Sequence, residues 1–538
     1  MKRITWRRVA WLAVGVLLLA GGVYVVRVAS ILAAYKAKML CSEVLLAHRD
    51  PRAVLTELEV DDLAPLRYVS ASVDSSARIA KASVAGLIRH EAGYRDQRGC
   101  VLQFGSSQTG TASSAPDQSQ SDDALRGDVN HALDPVLERA FAEPNPERPR
   151  RTRAVVVVQN GRIVAERYAP GFTPETPLIG WSMTKTVINA LVGILVKDGR
   201  LAVNRPAPVP EWQSAGDPRR AITLDQLLRM SSGLEFDESA WNPVSDVTVM
   251  LLGRPDAGRY AARKSLAAAP GTVWQYSSGT TNIISRALRA VINDDAMYAE
   301  FPHRALFDRI GMSSALIETD ASGAFIGSSF GYATARDWAR LGMLYVNDGM
   351  WNGQRILPEG WVAYTRSPAP ADPLEHYGAH VWLKVADEYS GDAVLPADAF
   401  HAIGHAGQFV TMIPSANLVV VRLGLTRYPD AWDHTAFVRD VLMALDGGAH
   451  ARSCWSGEKS PRNETMRREK GEWKQPSSSP RSPRTREQVG ARLSFSGWRC
   501  SSASDSSRDL RSRTSPEAKH STSIAARKHG SSCTSQAA

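Results

Sequence analysis

Between Val9 and Val26 the chain runs 18 residues without a charge, immediately after Lys2, Arg3, Arg7 and Arg8. An uncharged run of that length is near the lower limit for a helix that crosses a bilayer, and no other stretch limits the chain so strongly. A cleaved signal peptide is the alternative. The apolar core is longer than such peptides usually carry, and no small-x-small site follows directly, so an anchor over residues 1–40 is the expected form. Arg27, Lys36 and Lys38 on its far side leave the charge rule for orientation undecided. The expectation is a protein held in the inner membrane with its body on the periplasmic or extracytoplasmic face. Export would make Cys41 and Cys100 a candidate disulfide, since the other three of five cysteines lie in the tail. Two separate buried thiols are the other reading.

The net charge of +9 suggests a nucleic-acid partner until it is located. From Ala451 onward there are 18 Lys/Arg against 8 Asp/Glu, which accounts for the whole excess. The remainder is near neutral, so no nucleic acid is expected. With 538 residues and 43% hydrophobic content, the chain is long enough for a large buried core.

Composition divides the chain. Residues 41–104 read as a small segment of mixed helix and strand. Residues 105–127 are polar and Ser/Gln-rich, a linker or long surface loop. A folded block covers residues 128–449, and residues 450–538 form a basic Ser/Arg/Pro-rich tail without periodicity. That tail is expected to be disordered, and a non-native reading frame is an alternative source for it. The block opens on Arg153–Gln159, Asn160-Gly161 and Arg162–Tyr168, two β-rich runs around a turn pair that both favour positive φ. An apolar stripe, Val187, Ala190, Leu191, Ile194 and Leu195, predicts a helix starting at Ser182 and stopping before Gly199. A further helix is expected over Asn282–Ala290. Gln408–Ile413 and Leu418–Leu423 read as late strands, and Ala431–Leu445 as a closing helix. An early hairpin, intervening helices and late antiparallel strands together predict an α+β domain rather than a doubly wound sheet.

Three short sequences carry the chemistry. Ser182 and Lys185 are three apart at a helix start, so the amine shares a face with the hydroxyl. Burial or a neighbouring cation would bring Lys185 down from about 10.4 far enough to take the serine proton. A capping serine beside a surface lysine is the bland alternative, and Ser456 and Lys459 repeat the spacing in the tail. Tyr276-Ser277-Ser278 precedes a helix. Beside a buried ammonium, Tyr276 could be phenolate-like and shuttle protons, or it could be an ordinary half-buried aromatic. His405-Ala406-Gly407-Gln408 opens a strand, where Gly407 would allow close approach of a ligand and the next N–H could donate to an oxyanion. Ser182 is not in a Gly-x-Ser-x-Gly elbow, because position 184 is Thr. His401 and His405 lack the His-Glu-x-x-His pattern of a zinc helix, and no phosphate loop is present, so neither metal nor cofactor is expected.

The order Ser-x-x-Lys, Tyr-Ser-Ser, His-x-Gly resembles the serine β-lactamase and penicillin-recognising family, most closely its class C-like branch of DD-peptidases, esterases and 6-aminohexanoate-oligomer hydrolases. Leu227–Leu234, Ala333–Arg340 and Trp351–Pro358 resemble the same branch, and the likeness covers about Arg153 to Leu445. It implies a two-lobed fold, an antiparallel sheet flanked by helices beside a helical lobe, with the cleft between them. It also implies Ser182 as nucleophile, Lys185 as base, Tyr276 as proton relay, and Ser278, His405, Gly407 and Gln408 around substrate and oxyanion. Two departures matter. Tyr276-Ser277-Ser278 stands where Tyr-x-Asn is usual, and His405-Ala406-Gly407 where Lys-Thr-Gly is usual. Both predict a weaker hold on β-lactams, whose carboxylate would lose its lysine, and leave esters, small or linear amides and peptides as substrates. A non-catalytic sensor that keeps the fold is the alternative.

Overall fold

The computed structural model describes residues 6–105, 125, 127–239, 242–385 and 395–447. Most of the polar segment 105–127 and the whole tail 450–538 lie outside the described residues. The hairpin forms as its sequence predicts. Asn160 and Gly161 take φ of 52° and 78° and join the strands Thr152–Gln159 and Arg162–Tyr168. Leu418–Gly424 pairs with the first of these, Gln408–Ile413 follows, and Phe400–Gly404 forms the outer edge of a five-stranded antiparallel sheet.

The valine run Val155–Val158 is explained by burial on both faces, since successive side chains point opposite ways. Val156 and Val158 belong to a core with Trp338, Leu341 and Val419. Val155 and Val157 belong to another with Phe437, Val438 and Val441. The helix Ala335–Val346 lies so close to the sheet that a Cβ on Gly342 would stand 2.6 Å from Val419. The closing helix begins at His434 rather than Ala431, because the Asp433 side chain caps it by accepting from the Ala436 N–H at 2.9 Å. Thr184–Lys197, Asp246–Leu252, Ala257–Ala262 and Ser278–Ile292 make up the helical lobe. The architecture is therefore the α+β arrangement that the motifs implied, an antiparallel sheet flanked by helices beside a helical lobe.

The N-terminus differs more from expectation. One helix runs unbroken from Trp6 to Cys41 and continues as a π turn over Ser42–Leu46. Residues 10–27 are exposed, and from Val28 the same helix enters the protein. It packs on an antiparallel meander, Val69–Asp74, Ile79–Val84, Ile88–Arg95 and Gly99–Leu102. By length and composition this helix could cross a membrane. Lys36 and Lys38, beyond the apolar run, are not free flanking charges. Lys36 reaches Glu59 at 2.6 Å and the carbonyls of Leu66 and Val69, while Lys38 pairs with buried Glu318. Glu318 also accepts from the Ser42 hydroxyl and the Cys100 N–H. Burial pulls the Lys38 amine below its usual range and pushes the Glu318 carboxyl up, while their pairing opposes both shifts.

Cys41 and Cys100 form a disulfide whose Cα atoms are 5.9 Å apart. It ties the helix end to the last meander strand across a separation of 59 residues, a loop whose closure stabilises the folded state by about 4 kcal/mol in the chain-entropy account. Thiol alkylation of membrane preparations should therefore leave both cysteines unlabelled until reductant is added. Cys41→Ser with Cys100→Ser should lower the thermal midpoint by several degrees without abolishing turnover.

Candidate active site

Ser182 lies in a short 3₁₀ turn, Trp181–Met183, that runs directly into the helix Thr184–Lys197. The turn is tight. Trp181 has φ of 47°, and a Cβ on Gly180 would stand 2.3 Å from the Trp338 ring. Such left-handed backbone at a non-glycine residue costs energy that the surrounding packing must offset. Here it presents the Ser182 hydroxyl, partly exposed, while one turn on Lys185 is only 1% exposed. The Lys185 amine uses all three donor positions: Ser182 Oγ at 3.1 Å, Ser278 Oγ at 3.3 Å and the Ser328 carbonyl at 2.9 Å. Asn282 holds that last partner, donating to Ser328 Oγ at 3.1 Å. Lysine is thus the buried hub of the cluster, not the capping pair's surface residue.

Ser278 is the first residue of the helix Ser278–Ile292, with Ser277 as its cap. The helix starts four residues earlier than the apolar pattern suggests, which brings the Ser278 hydroxyl to Lys185. Ser278 then donates both its hydroxyl, at 2.5 Å, and its backbone N–H, at 2.8 Å, to the Glu238 carboxylate. A continuous path therefore links Glu238, Ser278, Lys185 and Ser182. Burial brings Lys185 down to about 8, against the pull of Glu238, and the same burial pushes the Glu238 carboxyl up.

Tyr276 sits with the Lys185 amine 4.8 Å from its ring centroid, and the Ser182 side chain opposes the upward shift of its phenol. Burial and the Glu238 charge push this phenol well above its usual 10. That corrects the phenolate expectation: near neutral pH Tyr276 is a phenol, able to give a proton rather than take one. Its ring stacks on Trp382 at 5.5 Å and meets Tyr377 edge-on at 5.9 Å, and Trp274 stands 6.4 Å from Trp382. These rings form an aromatic wall beside Lys185.

The His405-to-Gln408 expectations require more revision. His405, Ala406 and Gly407 form the hairpin turn, and Gln408 is paired with Gly404 inside the ladder. The Gln408 side chain is spent on that turn, donating to the carbonyls of His405, Ala406 and Gly424. Gly407 is glycine because a Cβ there would meet the Arg422 guanidinium at 2.1 Å, and Arg422 donates to its carbonyl. Neither residue forms the edge beside Ser182. That edge is Phe400–Gly404, where a Cβ on Gly404 would lie 2.1 Å from the Gly180 carbonyl oxygen. His401 exchanges both backbone hydrogen bonds with Trp382 at 2.8 Å on this outer side. Alternation then turns the N–H of Ile403 to the same outer side. His405 stands edge-on to Trp181 at 5.5 Å, and the Arg427 guanidinium lies 3.0 Å from its Nε2. A permanent cation therefore accompanies the histidine at this corner, which the sequence comparison with Lys-Thr-Gly did not suggest.

Glu238, Ile403 and Arg427 escaped the sequence reading. Glu238 is one of three acids in Glu235-Phe236-Asp237-Glu238, and nothing in that loop distinguishes it. Trp274 could have been found, since it lies two residues before Tyr276 and an extended segment places i and i+2 on one side.

The family model described as Beta-lactamase matches residues 137–442. A 6-aminohexanoate-dimer hydrolase of Paenarthrobacter ureafaciens is 24% identical over 320 residues, covering 55% of this chain and 79% of that protein. Among solved structures, a penicillin-binding protein homolog from Caulobacter crescentus is 18% identical and covers 60% of this chain and 99% of that one, with a TM-score of 0.47. A family VIII carboxylesterase is likewise 18% identical over 60% of this chain and 99% of that one, with a TM-score of 0.45.

Proposed function

The chain belongs to the beta-lactamase family of serine hydrolases, and on that premise we propose that it cleaves esters or small, linear amides through an acyl-enzyme on Ser182. The observation that carries the reading is the hydrogen-bonded path from Glu238 through Ser278 and Lys185 to Ser182. Neutral Lys185 accepts the Ser182 proton as Oγ attacks the carbonyl carbon. The oxyanion forms between the N–H of Ser182 and the N–H of Ile403 on the free strand edge. Tyr276 then gives its proton to the departing oxygen or nitrogen and recovers one from Lys185. Water attacks the acyl carbon in the second half, with the same groups acting in reverse.

Tyr276→Phe should lower turnover by roughly a hundredfold or more with little change in KM, the loss typical of a removed proton donor. Amides should suffer more than activated esters, whose leaving groups need no proton. Steady-state rates on p-nitrophenyl acetate and an anilide check this, and equal losses on both would make Tyr276 a packing residue.

The substrate class follows from the mouth of the cleft. Ser278 is engaged with Lys185 and Glu238, so it is not available as the amide that a Tyr-x-Asn motif would offer a β-lactam side chain. Arg427 beside His405 offers a carboxylate some attraction, yet at a turn outside the strand edge. Esters should therefore be hydrolysed faster than nitrocefin at pH 7. The decisive experiment is a panel of p-nitrophenyl esters, aminohexanoate dimer, D-Ala-D-Ala peptide and nitrocefin, run beside a serine-reactive probe. Labelling that Ser182→Ala abolishes supports the enzyme, and an unlabelled protein inert on every substrate would favour the non-catalytic sensor. Nitrocefin turning over fastest would overturn the substrate assignment alone. We further propose that Val9–Val26 holds the protein in the inner membrane with the catalytic block outside the cytoplasm.

A further inference from the structure

Outside the N-terminal helix, the two most exposed large apolar side chains of the small meander are Leu87, at 86%, and Tyr68, at 74%. They are close together although 19 residues separate them in sequence. Leu87 lies at the tight turn Ala85-Gly86, where both residues have positive φ, between Ile79–Val84 and Ile88–Arg95. Tyr68 immediately precedes Val69, and Val69 is paired with Val84, so both side chains mark one end of the sheet.

The position of that end relative to the helix follows from two fixed points. The Ser30 hydroxyl lies 2.8 Å from His90 Nε2, and the Cys41–Cys100 disulfide fastens the helix where Tyr94 pairs with Cys100. Helix and strand therefore run in the same direction, with His90 level with Ser30. Leu87 lies three residues back along the strand, about 10 Å, which equals six or seven residues of helix rise. The tip thus reaches back toward Tyr24, beside the exposed part of the apolar run. Three arginines, Arg27, Arg67 and Arg89, are exposed at this end. None has a carboxylate partner among the described residues. Arg67 and Arg89 donate instead to the carbonyls of Ala64 and Gly86, and Arg67 lies over the Tyr68 ring. An aliphatic tip, an interfacial tyrosine and unpaired guanidiniums beside an apolar helix match the layered chemistry of an anionic bilayer surface.

We propose that the Tyr68/Leu87 end of the meander is a second membrane contact, seated in the anionic headgroup layer of the bilayer that Val9–Val26 enters. The contact rests on the anchor reading above and adds an orientation to it. A single helix fixes the distance of a domain from the membrane but leaves it free to lean and turn, whereas a helix with a lateral footing holds one face toward the lipid. The hydrolase reading does not bear on it.

The test uses the full chain with Cys454, Cys500 and Cys533 changed to serine, in phosphatidylcholine vesicles with and without phosphatidylglycerol at about a third of the lipid. An NBD fluorophore is attached in turn to Leu87→Cys, Tyr68→Cys, Leu18→Cys and Ser75→Cys. Ser75 lies in the turn at the opposite end of the meander. Labels at 87 and 68 should be quenched by headgroup-proximal nitroxide lipid and shielded from dithionite, more so with phosphatidylglycerol, while the label at 75 is reduced rapidly. Arg67→Gln with Arg89→Gln should weaken the phosphatidylglycerol effect by roughly fivefold per residue. Protection at Leu18 with free reduction at both 87 and 68 would overturn the proposal and leave the anchor standing. Free reduction at Leu18 as well would overturn the anchor and the footing together.

Discussion

Ser182→Ala should lower ester turnover by roughly a hundred thousandfold while leaving the protein folded. The site offers no substitute nucleophile, because Ser278 already donates its hydroxyl to Glu238 and its neighbour Ser277 caps the helix. What remains should be slow attack by water on a carbonyl still polarised by the backbone N–H groups. The measurement is an intact-mass trace of protein mixed with excess slow ester. The parent should gain the acyl mass and the variant should not. Activity within tenfold of the parent would remove Ser182 as nucleophile.

Lys185→Met should cost about a thousandfold or more in acylation, the upper part of the range for a general base. The pH dependence is more specific. Only the neutral amine can take the serine proton, and burial sets its value at about 8. Acylation by the parent should therefore rise with pH and level off above that value. Glu238 opposes the downward shift, so Glu238→Gln should move the rising limb to lower pH, because the ammonium loses the one countercharge that acts on it among the described residues. A carboxamide at 238 still accepts from Ser278, which separates a charge effect from a lost hydrogen bond. Glu238→Ala, which leaves the Ser278 N–H without its acceptor, should instead lower the plateau. An unmoved limb in Glu238→Gln would mean the carboxylate acts on geometry alone.

What could be read from sequence was what local chemistry dictates. Asn160-Gly161 specifies its own turn, and three-residue spacing puts Ser182 and Lys185 on one face, where distant partners then hold the amine. The α+β class followed from element order, while counting made Cys41–Cys100 only a candidate bridge beside the reading of two separate thiols. What could not be read depended on distant partners. Lys36 and Lys38 look like membrane-flanking charges until Glu59 and Glu318 are seen beside them, one of them 280 residues away. Gln408 looked like the start of the edge facing the nucleophile, yet the register made Phe400–Gly404 that edge, and a shift of one strand moves every backbone donor. Tyr276 looked ready to ionise beside a cation, but burial, helped by a carboxylate that nothing in its own segment distinguished, raises its value instead.

The helix that begins at Trp6 ends among Ile179, Ile326, Phe330 and Tyr332, in one apolar cluster with Met39, Leu40 and Cys41. Phe330 in turn meets Trp181, the residue before Ser182, at 5.9 Å. Inheritance and folding therefore draw different boundaries in this protein. The family-matched stretch, residues 137–442, holds every side chain of the proposed path from Glu238 to Ser182. Cut out alone, it would leave Glu318 without Lys38 and turn the back of the serine turn toward water. A processing cut before Val28 would spare that wall, and one further along would breach it. The helix whose outer part we propose as the tether is therefore also, from Val28 on, part of the wall behind the serine turn, and only that inner part cannot be lost without loosening the turn.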